Sequence, residues 1–101
     1  MKYYYITNPW DGRKTKVWFE KEEYMNGNMA LELWCDEGPY TTVTVNLPNY
    51  HLEENEAFID TNNNPDIDKW LARRGIAKPT LLHGYSGFCS YPMMRFDLSK
   101  I

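Results

Sequence analysis

Apolar and polar residues alternate through the first half of the chain, and this pattern predicts strands with one buried face. Between residues 16 and 24 a partial alternation places Trp18, Glu20 and Glu22 on one side and Val17, Phe19 and Lys21 on the other. Between residues 29 and 35 it separates Glu32 and Trp34 from a row of apolar side chains. Both segments are therefore predicted to be half-buried strands whose outer faces carry carboxylates and tryptophans.

Short turns connect these two segments to a third. The Asn-Gly-Asn sequence at residues 26–28 is typical of a tight hairpin, because adjacent residues there tolerate the left-handed backbone region. A second turn is predicted at residues 36–39, and residues 40–47 form the clearest strand, with Val43 facing inwards and Thr44 outwards. Three strands joined in this way predict an antiparallel meander.

The remaining segments predict further strands and one helix. Residues 3–7 and 56–60 are short β-prone stretches, residues 88–98 form a last strand or strand pair, and residues 76–87 are predicted to be irregular. Asn64 is a suitable N-cap and Pro65 a suitable first helical residue, while Gly75 predicts the C-terminal stop. Apolar residues at helical spacing complete the pattern: Ile67, Trp70 and Leu71.

Length and composition fit one compact domain over residues 1–101, since 43% of the 101 residues are hydrophobic and 16% are aromatic. The predicted fold class is α+β: a curved antiparallel β-meander of about five to six strands, with one α-helix at about residues 65–74 packed on a face. No apolar run approaches the ~20 residues of a membrane span, and no signal peptide is apparent. With Cys35 and Cys89 fitting a reducing compartment, these features predict a cytoplasmic protein with no membrane partner.

Three sequence motifs resemble chemical sites but lack the residues that the chemistry needs. The Asn-rich segment starting at Asp60 resembles a calcium loop, but Pro65 replaces the required glycine and Leu71 the bidentate glutamate. The Gly-Tyr-Ser-Gly-Phe sequence at residues 84–88 lacks the final glycine of a hydrolase nucleophile elbow. The two cysteines and two histidines show no paired zinc-ligand spacing. We therefore expect no catalytic residues, no metal site and no cofactor, and a protein that is not an enzyme.

Charge is distributed unevenly along the chain. Residues 17–60 contain ten acidic residues and one basic residue, whereas the other residues contain four acidic and ten basic ones. An acidic surface attracts basic partners, and carboxylates spaced like phosphates can occupy a nucleic-acid groove. The leading hypothesis is a non-catalytic protein that binds a basic, nucleic-acid-handling protein through an acidic sheet face. Its predicted interface residues are Trp18, Glu20, Glu22, Glu32 and Trp34.

Three alternatives remain open at this stage. The charges could serve solubility alone, with the tryptophans in a second packed layer. The protein could instead be a small-molecule binding domain or enzyme, with a pocket near the Asn-rich loop and the turn at residues 84–87. Direct nucleic-acid binding is disfavoured because the overall charge is −3 and the helix region offers only a small basic cluster, made of Lys69, Arg73, Arg74 and Lys78.

Four stretches of the sequence resemble a family of small uncharacterised domains encoded on phages, plasmids and conjugative elements of gut bacteria. These stretches are NPWDG at 8–12, LELWCDEGPY at 31–40, EAFIDTNN at 56–63 and GFCSYP at 87–92. The resemblance implies a cytoplasmic accessory protein of a mobile element, and it assigns no activity to any residue. Small acidic proteins of such elements are often modulators of host nucleic-acid machinery, so the resemblance favours the acidic-interface hypothesis.

Overall fold

The computed structural model describes residues 2–101, which form two antiparallel four-stranded sheets and one α-helix. The first sheet has the order β1-β2-β3-β4 and the second the order β5-β6-β8-β7. The elements are β1 (Tyr4–Thr7), β2 (Lys14–Glu23), β3 (Met29–Cys35), β4 (Gly38–Thr42), β5 (Thr44–Val45), β6 (Glu56–Ile59), α1 (Ile67–Arg73), β7 (Ala77–Ser86), β8 (Cys89–Phe96) and a 3-10 helix (Leu98–Lys100).

The first sheet is the predicted meander, extended by β1 at its edge. The Asn-Gly-Asn hairpin joins β2 to β3: the Tyr24 amide donates to the Asn28 carbonyl at 2.8 Å, and Gly27 adopts a φ of 87°. Alternate side chains of β2 and β3 are buried as the pattern predicts, including Val17, Phe19 and Leu31. The α+β class is confirmed, but the strands do not form one curved sheet.

The predicted strand over residues 40–47 is interrupted at Val43, where the chain passes from the first sheet to the second. The Val43 amide still donates to the Leu31 carbonyl at 2.9 Å, so β3 guides the crossing. Thr44, predicted to face outwards, is only 2% exposed. Burial is tolerated because its hydroxyl accepts from the Leu31 amide at 3.1 Å and bonds the Tyr24 hydroxyl at 3.0 Å. The Thr44 hydroxyl thus gives the Leu31 amide the acceptor that a backbone carbonyl would supply in a continuous β3–β4 ladder.

Residues 77–86 were predicted to be irregular but form β7. The strand lies at the edge of the second sheet, where Pro79 can be accommodated without an amide donor. Its register with β8 shifts between Pro79 and His83, and Leu81 there adopts a φ of 68°. The strand is therefore distorted between Pro79 and His83 without ending, and residues 89–96 form a single last strand.

The helix is shorter than the predicted span of residues 65–74 because it begins at Ile67. Asp66 precedes it with a φ of 64° and makes no side-chain capping bond. Asn64, the predicted N-cap, instead accepts from the Thr41 hydroxyl at 2.6 Å and donates to the Thr42 carbonyl at 2.9 Å. Its side chain therefore ties the Asn-rich loop to β4. The C-terminal stop is as predicted, with Gly75 at a φ of 66°.

Two hydrophobic clusters lie on opposite sides of the second sheet. The larger one fills the space between the two sheets and α1, and the smaller one contains Leu47, Phe58, Tyr91 and Met93. Strand β6 separates them, with Ala57 and Ile59 in the larger cluster. No helix within residues 2–101 is both long and apolar enough to cross a bilayer.

A buried carboxylate on β6 makes stability depend on pH. Glu56 accepts from the Glu53 amide and from the Arg95 guanidinium, both at 3.0 Å. These bonds outweigh burial and hold the pKa of Glu56 below its ordinary value of 4.5. Since the unfolded chain then binds this proton more readily, the stabilisation is complete above that value and is lost as pH falls through the folded-state pKa.

We therefore expect Glu56→Gln to reduce stability at pH 7 and to have progressively less effect below pH 4.5. Urea denaturation of both proteins at several pH values measures the difference. Glu54→Gln, an exposed neighbour, is the control and should leave the pH profile unchanged. A Glu56→Gln effect that is constant between pH 7 and pH 3 would contradict this assignment.

Candidate interaction face and cavity

The first sheet brings the five predicted interface residues onto one face. In the β2–β3 register, Trp18 lies directly opposite Trp34 and Glu20 directly opposite Glu32, while Glu22 is one pair further along, opposite Ala30. The carboxylates of Glu20 and Glu22 are on exposed residues, and the other three residues are half-buried. The two tryptophans therefore lie beside the carboxylates as the alternation predicts.

The indole groups of this face differ in their hydrogen bonding. The Trp18 Nε1 donates to the Glu20 carboxylate at 3.0 Å, and Tyr3 packs edge-on against the Trp18 ring with centroids 6.0 Å apart. The Trp34 Nε1 is buried and has no hydrogen-bond partner among residues 2–101. An unpartnered donor of this kind is unfavourable in the free protein.

Sequence reasoning missed a basic end of the same face. Lys14 and Lys16 are on the same side of β2 as Trp18, and their side chains lie over two exposed tyrosine rings of the β1 segment. The Lys16 Nζ is 4.1 Å from the Tyr3 ring centroid, and the Lys14 Nζ is 5.4 Å from that of Tyr5. Strict alternation through residues 14–22 was the signal that could have found them. We call the whole surface the outer face; its members are Tyr3, Tyr5, Lys14, Lys16, Trp18, Glu20, Glu22, Glu32 and Trp34.

Charge on the outer face changes sign along β2, from lysines at one end to glutamates at the other. The carboxylates of Glu20 and Glu32 repel each other because they are directly paired across strands. Among the described residues, neither of them nor Glu22 forms an ion pair. The acidic end therefore presents three uncompensated carboxylates.

A cavity of about 560 Å³ lies on another part of the domain, between the turn at residues 8–12, β4 and α1. Ile6 and Ile67 provide buried apolar lining, and Trp70 lies beside them with its indole donating to the Tyr5 carbonyl at 2.9 Å. Arg73 and Arg74 line the cavity at the end of the helix. The sequence pattern places these arginines in a basic cluster around the helix, but it contains no signal that links them to the turn at residues 8–12.

A second cavity of about 460 Å³ lies closer to the alternative site predicted from the sequence. It is lined by residues of the Asn-rich loop and of β7 and β8, including Thr61, His83 and Ser90. Its acidic and basic lining residues Asp66 and Lys69 are paired with each other at 3.2 Å. Asp68 is a further lining residue and forms no ion pair among residues 2–101, so the cavity's unpaired charge is acidic.

The side chains of the motifs that resemble chemical sites make local hydrogen bonds or lie in turns and strands. The Asp60 carboxylate accepts from the amide and side chain of Asn63, at 3.1 and 2.8 Å, so it shapes the Asn-rich loop. Ser86 lies at the end of β7, at the hairpin to β8, and Cys35 and Cys89 are free thiols. Within residues 2–101, no three His, Cys, Asp or Glu side chains are grouped closely enough to hold a metal ion.

Comparison with protein families identifies the domain. Residues 19–101 match the family described as Domain of unknown function (DUF4313). The chain belongs to this family. The DUF4313 match contains β3, the Asn-rich loop, α1 and the whole second sheet, whereas β1 and the NPWDG turn precede it. No curated protein and no solved structure matched the chain.

Proposed function

We propose that this DUF4313 protein is a cytoplasmic, non-catalytic interaction protein of a mobile element. Its outer face binds a basic surface of a nucleic-acid-handling protein. The observation that carries the proposal is the cross-strand arrangement of Trp18 with Trp34 and of Glu20 with Glu32. Aromatic side chains are typical of the centres of protein interfaces, and the carboxylates beside them supply electrostatic complementarity to a basic partner.

The electrostatics of the sheet supports the proposal that the carboxylates bind a basic partner and do not serve solubility alone. Placing Glu20 directly opposite Glu32 destabilises the sheet, and a residue selected only for solubility need not occupy that position. A partner's lysine or arginine side chains would relieve this repulsion on binding. The lysines at the other end of β2 would repel the same basic surface, so they fix the orientation in which the partner docks.

The Glu32→Lys variant separates a binding role from a folding role. It replaces a like-charge pair with an opposite-charge pair, so we expect the free energy of unfolding to rise by about 0.2–1 kcal/mol. Partner binding should nevertheless be lost, because a lysine then faces the partner's basic surface. Urea denaturation measures the first effect, and affinity capture from a gut-bacterial lysate, read by mass spectrometry, measures the second.

The matched control for this experiment is Glu54→Lys, which makes the same charge change at an exposed loop position outside the outer face. Proteins captured by the native chain and by Glu54→Lys at low salt, but not by Glu32→Lys, are the expected partners. They should be basic nucleic-acid-handling proteins and should be released at high salt, because salt screens exposed charges. Capture that is unchanged by Glu32→Lys would refute the proposal.

A further inference from the structure

The 560 Å³ cavity carries two cationic groups that the protein does not neutralise. Arg73 and Arg74 form no ion pair with any residue among 2–101, and the acidic lining residue Asp66 is already paired with Lys69. Adjacent guanidinium groups repel each other, and an anion placed between them removes that repulsion. The cavity therefore offers its free positive charge to an anionic group.

Packing holds one of the two arginines in place. The Arg74 guanidinium lies over the Trp70 ring, 4.9 Å from its centroid, and Trp70 is fixed by its hydrogen bond to the Tyr5 carbonyl. Burial and the neighbouring Arg73 lower the pKa of Arg74. An arginine retains its positive charge near neutral pH even so. The Arg74 guanidinium is thus partly fixed in position before a ligand binds.

An exposed tryptophan of the N-terminal turn, Trp10, lines the same cavity. Trp10 is 78% exposed although it is one of the largest apolar side chains. Two hydrogen bonds to Asn8 hold its turn: the Trp10 amide donates to the Asn8 side chain at 2.8 Å, and the Gly12 amide donates to the Asn8 carbonyl at 2.9 Å. A flat apolar surface held out of the core is suited to stacking against a ligand ring.

We propose that this cavity binds a small anion that carries a flat aromatic ring, of the class of nucleoside monophosphates. Arg73 and Arg74 hold the phosphate, and the Trp10 indole stacks on the base. The volume is within the range of about 300–1,000 Å³ that is usual for small-molecule sites. This site is separate from the outer face and does not depend on the interaction function proposed above.

Isothermal titration calorimetry of the full chain tests the proposal with the 5′-monophosphates of adenosine, guanosine, cytidine and uridine. Adenosine and inorganic phosphate, each added alone, represent the ring and the anion separately. We expect at least one monophosphate to bind, and to bind at least tenfold more tightly than either component. No heat of binding from any monophosphate at millimolar concentration would overturn the proposal, and so would adenosine binding as tightly as its monophosphate.

Variants of the two contact types then locate the binding site. Trp10→Ala should weaken monophosphate binding by about 5- to 100-fold, the range expected when stacking on one base is lost. Arg73→Gln should weaken it at least tenfold, because one of the two guanidinium groups that hold the phosphate is lost. Lys78→Gln, an exposed lysine outside the cavity, removes the same charge and should have no effect.

Both test variants change exposed residues, so their circular dichroism spectra and thermal midpoints should match those of the native chain. Equal weakening by Lys78→Gln and Arg73→Gln would indicate unspecific charge attraction and would overturn the assignment. Tighter binding of a short single-stranded oligonucleotide than of any monophosphate would also overturn it, because the ligand would then extend beyond this cavity.

Discussion

Replacing Trp70 with alanine is expected to lower the free energy of unfolding by about 3–5 kcal/mol, the usual range for a large buried aromatic side chain. Trp70 is 5% exposed and packs in the core between α1 and the first sheet. Its ring makes an edge contact with Tyr4, with centroids 6.1 Å apart, and its indole donates to the Tyr5 carbonyl. Alanine would remove both links between the helix and β1.

The Trp70→Phe variant divides this loss into two parts. Phenylalanine keeps most of the apolar contact but leaves the Tyr5 carbonyl without its donor, which costs about 1–3 kcal/mol. Urea denaturation of both variants gives the two values. If alanine and phenylalanine are equally destabilising, packing makes no measurable contribution. If alanine costs less than 1 kcal/mol, the helix does not depend on this side chain.

Adding a single methyl group at Gly84 is expected to destabilise the protein by about 1–3 kcal/mol, the typical cost of overpacking. An alanine Cβ there would meet the Phe58 ring at 2.6 and 2.8 Å and would also contact Leu47 Cδ1. The end of Leu47 can rotate. Phe58 has little room because it is 2% exposed and packs against the Tyr50 ring with centroids 5.0 Å apart.

A second substitution tests this steric explanation of the glycine. Phe58→Leu removes the ring atoms that the new methyl group would meet, so Gly84→Ala should cost less in that background than in the native chain. Ser86→Ala, at an exposed position two residues along β7, is the control and should change stability by less than about 0.5 kcal/mol. Additive effects of Gly84→Ala and Phe58→Leu would contradict direct contact.

Local pattern predicted β1 to β3 of the first sheet and the strands at β6 and β8, but it missed β7, the break at Val43 and the arrangement of the second sheet. Alternation and an Asn-Gly turn determine β2 and β3, because each strand has one buried face and a short connection. Strand β6 is buried on both faces, and β7 contains proline and glycine, so neither has the alternation of a half-buried strand. Strand β7 reaches β8 through a short hairpin, but the pairing of β6 with β8 joins residues distant in sequence, such as Glu56 and Arg95, which composition cannot supply.

The same distinction applies to the two candidate sites. The outer face follows from alternation along two neighbouring strands, so residues such as Trp18 and Glu32 could be placed together in advance. The cavity combines Trp10 with Arg73, more than sixty positions away along the chain. The helix period places Arg73 and Arg74 beside Trp70, but only the tertiary fold brings the N-terminal turn to them.

The crossing at Val43 has a consequence for how the domain opens. Strands β4 and β5 are separated only by this residue, and Leu31 of β3 bonds both Val43 and the Thr44 side chain. The two sheets cannot separate from each other here without breaking these bonds of Leu31. We therefore expect the amide protons of Leu31 and Val43 to be among the slowest to exchange with solvent, with opening free energies near that of global unfolding.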